Sequence, residues 1–214
     1  MEHLAAIYQT RFTDSLFRNE MWKVLCAQFF QQFINPDSTV LEIACGYCEF
    51  INNIDARHKM GVDLNPDSKK YANHNVEIII APSTQITALP DQSVDVIFMS
   101  NFLEHISRED IHKTLSESLR LLKPQGQLLI LQPNIRFLAQ DYWMFIDHIT
   151  PVDDRALVEL LSAIGFSTVK STPRFLPYTT KGRLPNSLAL LKLYLKIPLL
   201  HKVFGKQAFI RAIK

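Results

Sequence analysis

Five short and mostly apolar runs, at residues 40–44, 61–64, 76–80, 94–100 and 127–132, constrain the fold more than any other feature of the chain. They lack the alternation of a half-exposed strand, so they read as strands buried on both faces, the condition of a parallel sheet covered by helices. The stretches between them read as helical. The clearest is 108–122, with Ser107 as N-cap, Asp110 three residues on, and Lys123-Pro124-Gln125-Gly126 closing it. Strands alternating with helices define an α/β chain with a parallel sheet.

Helix also precedes the first strand. In Leu16, Phe17, Met21, Val24, Leu25, Phe29 and Phe33 the apolar positions fall three, four or one apart, and Asn35-Pro36-Asp37 stops the pattern. After the fifth strand come an aromatic stretch at 137–145, a helix over 153–164 closed by Gly165, and a sixth strand over 166–172. A helical excursion over 184–204 leads to a last strand at 207–213, and the two late strands are expected to form an antiparallel edge. With 214 residues, one core suffices, since a domain of this size buries roughly 70% of its unfolded surface.

Composition excludes several classes. At 47% hydrophobic and 21% charged residues the chain is neither disordered nor of low complexity. Cysteines at 26, 45 and 48 are too few for a disulfide framework, and no basic segment followed by an apolar one opens the sequence, so a reducing cytoplasm is expected. The net charge of +2 hides an asymmetry: residues 1–159 balance to −8, whereas residues 160–214 carry ten Lys and Arg and no acid. Lys192, Lys196 and Pro198 interrupt the most apolar segment, which can touch a bilayer but hardly span it.

In an open α/β sheet ligands bind beyond the carboxyl ends of the strands, where the strand order reverses. The turn after the first strand reads Glu42-Ile43-Ala44-Cys45-Gly46-Tyr47-Cys48, and Asp63 ends the second strand 17 residues after Gly46. The fourth strand leads into Asp95-Val96-Ile97-Phe98-Met99-Ser100-Asn101-Phe102-Leu103-Glu104-His105, and Leu122-Lys123-Pro124-Gln125-Gly126-Gln127-Leu128 follows. These landmarks, in this order, resemble the class I S-adenosylmethionine-dependent methyltransferases of the type 11 kind. That family has an acid and a glycine-rich turn E/D-x-G-x-G-x-G, a ribose-binding acid, a "DVVxxxxxLEH" block and an "LKPGG.L" turn. Ala44 and Cys48 replace the outer glycines. The longer pieces 47–53, 62–67, 131–136 and 174–181 look like a compact bacterial subgroup of these enzymes, one associated with surface-glycan genes.

The resemblance implies a single Rossmann-like domain over 1–214, with a mostly parallel seven-stranded sheet, an antiparallel edge strand and helices on both faces. Within it, 1–36 form an N-terminal helical layer, 38–132 the cofactor-binding core, and 133–214 the acceptor side with the basic C-terminal part. It implies S-adenosylmethionine as cofactor, held by Glu42, Ala44, Gly46, Tyr47, Asp63, Leu64, Ser83, Thr84, Asn101 and Phe102. An acid at Asp63 suits a vicinal diol, because a carboxylate offers two acceptor oxygens. Glu42 meets the methionine ammonium or caps the helix that follows. Many relatives have an acid after the third strand where this chain has Ala81-Pro82-Ser83-Thr84-Gln85, so Thr84 or backbone groups take the adenine contact.

Methyl transfer needs alignment, no metal, and for a hydroxyl acceptor a base. His148, His105 and Tyr142 are the candidate catalytic residues, with Asp147 beside His148 as a candidate to orient it. His105 alternatively packs beside Glu104, and Phe137, Tyr142, Trp143 and Phe145 form an acceptor wall or core. The spacing Cys45-Gly46-Tyr47-Cys48 also fits a redox pair, but packing beside a cofactor suits these landmarks better. The expected acceptor is a small molecule or glycan, hydroxyl or amine, and phosphate-bearing if Lys181, Arg183, Lys192 and Lys196 meet it. Those cations alternatively contact the inner face of an anionic membrane, or form a solvated helix face. The acidic remainder of the chain would repel nucleic acid. The alternative functions are a non-catalytic S-adenosylmethionine-binding protein and a nicotinamide-dependent oxidoreductase, the latter opposed by Glu49 where its fingerprint needs glycine.

Overall fold

The computed structural model describes residues 15–178 and 187–214. Residues 1–14 of the expected N-terminal layer, and Lys181 and Arg183, lie outside the described residues. The chain runs α1 (Ser15–Gln28), β1 (Thr39–Ile43), β2 (His58–Asp63), β3 (Val76–Ile80), β4 (Val94–Ser100), α2 (Arg108–Leu121) and β5 (Leu122–Pro133). It continues through α3 (Ile135–Leu138), α4 (Asp154–Ile164), β6 (Thr168–Leu176), α5 (Leu188–Lys196), α6 (Pro198–Phe204) and β7 (Gln207–Ile213), with 3-10 turns at Phe30–Phe33, Pro66–Lys70, Leu103–His105 and Tyr142–Met144.

The seven strands lie in the order β3-β2-β1-β4-β5-β7-β6. The first five are parallel, and the late pair forms the antiparallel edge, with β7 running against both β5 and β6. The order reverses between β1 and β4, which places the switch point at the carboxyl ends of those two strands.

Successive residues of the central strands serve two cores. Leu41, Ile43, Ile97, Met99, Leu128 and Ile130 face α2 and α4, where they meet Ile111, Leu115, Leu157 and Leu161. Val40, Val96, Phe98, Leu129 and Leu131 face the opposite way, against Trp22, Leu25 and Phe30 of the N-terminal layer, with Leu191, Tyr194 and Leu195 of α5 beside them. Rings fill this second face, Phe50 stacking on Phe98 at 3.7 Å between centroids. Such burial explains why the strands read as apolar runs.

Local chemistry sets the helix ends. Ser107 Oγ accepts from Asp110 N and starts α2 as expected. Gly165, at φ +119°, ends α4 in a Schellman arrangement, its N–H donating to Ser162 O and Phe166 N to Leu161 O. Helical crossovers are fewer than the sequence suggested. Between β1 and β2 the chain makes a succession of turns, closed by Asn52 N to Cys48 O at 3.0 Å, and β2 to β3 has only the 3-10 turn. The physical reason is that α1 and the Phe cluster already cover this face, so a short connection suffices. The excursion over 184–204 divides at Pro198, which lacks the N–H to continue α5 and instead opens α6.

Gly61 of β2 lies under the first turn, where a Cβ would come within 2.8 Å of both Cys45 Sγ and Ile78 Cδ1. Gly61→Ala is expected to destabilise the fold by about 1–3 kcal/mol in urea unfolding, with Cys45→Ala in the same background recovering part of the loss.

Candidate active site

The turn after β1 is built from left-handed backbone at alternate residues: Ala44 has φ +56°, Gly46 +47° and Cys48 +58°. These are the three glycine positions of the motif, so the turn keeps its glycine-type path although two of the residues carry side chains. Each non-glycine residue there costs roughly 1–2 kcal/mol. The turn is held by Cys45 N to Val62 O at 3.1 Å and by Cys48 N to Cys45 O at 2.6 Å. Gly46 N donates to Asp63 Oδ2 and Asn65 N to Asp63 Oδ1, both at 2.8 Å, so the acid after β2 is aimed at the turn by two backbone donors.

Glu42 lies beneath, 4% exposed, and its Oε2 accepts from Ile51 N at 3.0 Å. It therefore caps the connecting turns, and burial, followed by the neighbouring Cys48, pushes its carboxyl well above the usual range. Cys26, Cys45 and Cys48 are buried free thiols. A hydrogen bond with Cys48, then burial, holds the Cys45 thiol far above its ordinary pKa, the opposite of a reactive redox pair.

The other expected cofactor residues are placed as follows. Tyr47 packs edge-on against Tyr71 at 4.6 Å, with the Arg18 guanidinium 5.6 Å from its ring and ion-paired to Glu49. Leu64 is 58% exposed just past Asp63. Thr84 is half-buried, whereas the Ser83 hydroxyl is paired with Thr114 Oγ1 of α2 at 2.8 Å. Asn101, at φ +46°, ends β4 and has a buried Oδ1 with no hydrogen-bond partner among the described residues; Phe102 packs on the core beside it. An adenosyl and methionyl ligand fits these residues: among the described residues beyond its chain neighbours, none comes within 4 Å of where a Cβ on Gly46 would stand, and Asn101 Oδ1 is a buried acceptor without a described donor.

Next along the same edge is a second constellation. Glu104 is fully buried, and its Oε2 accepts from Gln132 Nε2 at 2.6 Å. Its carbonyl accepts from Ile149 N at 2.9 Å and Thr150 N at 3.1 Å, which draws the loop after α3 over the end of β4. Glu104 Oε1 stands 3.7 Å from His105 Nε2 and 3.9 Å from His148 Nε2. Burial raises the Glu104 carboxyl, opposed by His105.

His105 and His148, expected as alternatives, are neighbours with ring centroids 5.0 Å apart. Asp147 faces His105: its carbonyl O is 3.0 Å and its Oδ2 3.4 Å from His105 Nδ1. His148 meets Tyr178 Oη at 3.2 Å through Nε2. Tyr142 is a correction to the expected catalytic set. Its buried hydroxyl donates to Thr150 O at 2.8 Å and accepts from Val152 N at 3.0 Å, so it anchors the loop. Of the aromatic wall, Tyr142 is core and Trp143 is 54% exposed. Arg18, Gln132 and Tyr178 were not singled out from sequence, because each reaches the site through tertiary packing.

The seven-stranded sheet, its switch-point turn and the acid after β2 define the class I methyltransferase fold. Residues 41–130 match the family model for a methyltransferase domain. A phosphoethanolamine N-methyltransferase from Plasmodium falciparum is 30% identical over 105 residues, covering 45% of this chain; the chain spans 40% of that relative's length. An S-adenosylmethionine-dependent methyltransferase from Archaeoglobus fulgidus superposes with a TM-score of 0.73 at 23% identity, covering 98% of this chain and 99% of its own. The N-methyltransferase NodS of Bradyrhizobium japonicum, solved with S-adenosylhomocysteine, gives 0.63 at 13% identity over 95% and 90% of the two chains. Residues 41–130 are thus similar to a methyltransferase domain, and the fold of the whole chain is that of S-adenosylmethionine-dependent methyltransferases.

Two expectations follow from the turn. Ala44→Gly should stabilise the protein by roughly 0.5–1 kcal/mol, strain relief exceeding the entropy of an added glycine, read as a higher urea midpoint. Glu42, whose folded carboxyl is raised, holds a proton in the folded state that the unfolded chain has already lost. Wild-type stability should therefore fall as pH rises from the unfolded carboxylate value towards the raised folded one, and Glu42→Gln should flatten that slope in unfolding curves measured against pH.

Proposed function

We propose that this chain transfers the methyl group of S-adenosylmethionine to a small polar acceptor, a hydroxyl or amine compound, at the carboxyl edge of its sheet. The observation that carries this is that β1 and β4 are neighbours at the switch point, so the Asp63-braced turn after one and the Glu104–His105–His148 cluster after the other share one edge. The cofactor supplies, when bound, a methyl carbon made electrophilic by a positively charged sulfur. Asp63 retains lone pairs for the ribose hydroxyls beyond those used by Gly46 and Asn65. Leu64 offers an apolar flank to the adenine, and Asn101 Oδ1 an acceptor for the ammonium.

The protein's task is then alignment in a water-poor pocket and removal of the acceptor's proton. A backbone carbonyl only accepts, so His105 Nδ1 donates to Asp147 O, and in the neutral ring this leaves the lone pair on Nε2. His105 is in this way the base, and Asp147 a positioning residue. A phosphate-bearing glycan as acceptor is supported by the basic C-terminal part. Lys192, Lys196 and Lys202 lie on α5 and α6, and β7 leaves them where Gln207 pairs with Pro133, at the carboxyl end of β5. The exposed Leu190, Leu193, Leu199 and Val203 among those lysines support docking at an anionic membrane face from the cytoplasm; no described helix is long and apolar enough to cross a membrane. Against a nicotinamide cofactor, Glu49 stands ion-paired to Arg18 where a pyrophosphate would come.

Calorimetry with S-adenosylhomocysteine and with NADH tests the cofactor: the first should bind and the second should not. Asp63→Ala should weaken S-adenosylhomocysteine about ten- to a hundredfold, the loss of roughly 1.5–3 kcal/mol from hydrogen bonds to a charged acceptor. His105→Ala should retain that affinity and lose turnover across a panel of amine and hydroxyl acceptors. Absence of S-adenosylhomocysteine binding would overturn the proposal.

A further inference from the structure

Glu104 has one carboxylate oxygen fully accounted for and one not. Oε2 accepts from Gln132, while the buried Oε1 has no hydrogen-bond partner among the described residues. Oε1 faces two imidazole nitrogens, His105 Nε2 at 3.7 Å and His148 Nε2 at 3.9 Å. With the His105 ring neutral, Nδ1 donates to the Asp147 carbonyl and Nε2 turns a lone pair towards Glu104 Oε1, which has no donor beside it among the described residues. The gap is too long for a hydrogen bond and too short for a bridging water. A shared cation satisfies all three atoms at once.

We infer that Glu104, His105 and His148 form a binding site for a divalent transition-metal ion, ligated by Glu104 Oε1, His105 Nε2 and His148 Nε2. Each of these residues has a donor atom within 4.8 Å of the others'. Ligands about 2.0–2.2 Å from one ion stand roughly 3–3.5 Å apart, so occupancy requires Glu104 Oε1 to close on each imidazole by a few tenths of an ångström and the two rings to converge on the ion. Two imidazoles and one carboxylate suit zinc, cobalt or ferrous iron, whereas magnesium and calcium prefer oxygen donors throughout. The surrounding shell is also what such a site needs. Asp147 fixes the His105 ring through Nδ1, and Gln132 fixes the Glu104 carboxylate through Oε2. On His148 the ion takes the place of the Tyr178 hydroxyl contact at 3.2 Å.

Three protein ligands leave coordination positions open. This part of the inference rests on the methyltransferase proposal above: an open position on that edge fits an acceptor oxygen, which narrows the acceptor to hydroxyl compounds and gives the ion the proton-withdrawing role assigned to His105.

The test uses the full chain after chelator treatment, titrated separately with cobalt, zinc and magnesium chlorides. The expected result is stoichiometric cobalt binding with visible d–d absorption, which zinc abolishes by displacement and excess magnesium does not. Glu104→Gln and His148→Ala should each weaken cobalt at least tenfold. His105→Ala, a change at a less buried position, should do the same and guards against a variant that fails to fold, folding being followed by circular dichroism. A flat cobalt titration, as a proton held on Glu104 would give, overturns the site, as does cobalt binding that survives in all three variants. S-adenosylhomocysteine calorimetry on the same samples separates the two proposals: cofactor binding without metal binding removes the metal site alone, and metal binding without cofactor binding removes the methyltransferase assignment alone.

Discussion

The hydrogen bond from Gly46 N to Asp63, 2.8 Å long, is the constraint on which the cofactor edge depends. It joins the turn after β1 to the end of β2, and so fixes the acid where the sheet order reverses. A bond to a charged acceptor contributes roughly 1.5–3 kcal/mol, comparable with the strain of one left-handed alanine or cysteine. Cys45 N to Val62 O and the second bond into Asp63 from Asn65 brace the same corner. The turn therefore keeps its path without its outer glycines because neighbouring backbone groups over-determine it.

Packing on the two faces follows from that corner. One face is closed by α2 and α4 in the ordinary manner of a crossover sheet. The other is closed by aromatic rings from the turn after α1, the connecting turns, β4 and the late strands, with Phe29, Phe30, Phe50, Phe98, Phe175 and Phe209 in one continuous group. Rings bury large areas per residue, so this face needs little regular helix between β1 and β3. The same group ties β6 and β7 to the N-terminal layer, which brings the C-terminal part back to the cofactor edge.

Glu104 organises the end of β4 twice over. Its carbonyl gathers the loop at Ile149 and Thr150, and its side chain gathers Gln132, His105 and His148. Tyr142 locks the loop from beneath through Thr150 and Val152. Loop and strand end thus share one buried polar network, in which a change at any member is felt by the others.

The sequence by itself determined the strand set, the α2 and α4 ends, and the pairing of a switch-point turn with Asp63, because burial on two faces, capping chemistry and a fixed spacing are written locally. Ala44 and Cys48 show the limit: their residue types do not announce left-handed backbone, which the bonds around Gly46 impose. Tertiary structure alone decided that Glu42 caps Ile51, that Asp147 reaches His105, and that Tyr142 is an anchor. Each of those outcomes depends on which groups a folded loop brings within about 3 Å, a distance that chain spacing does not encode.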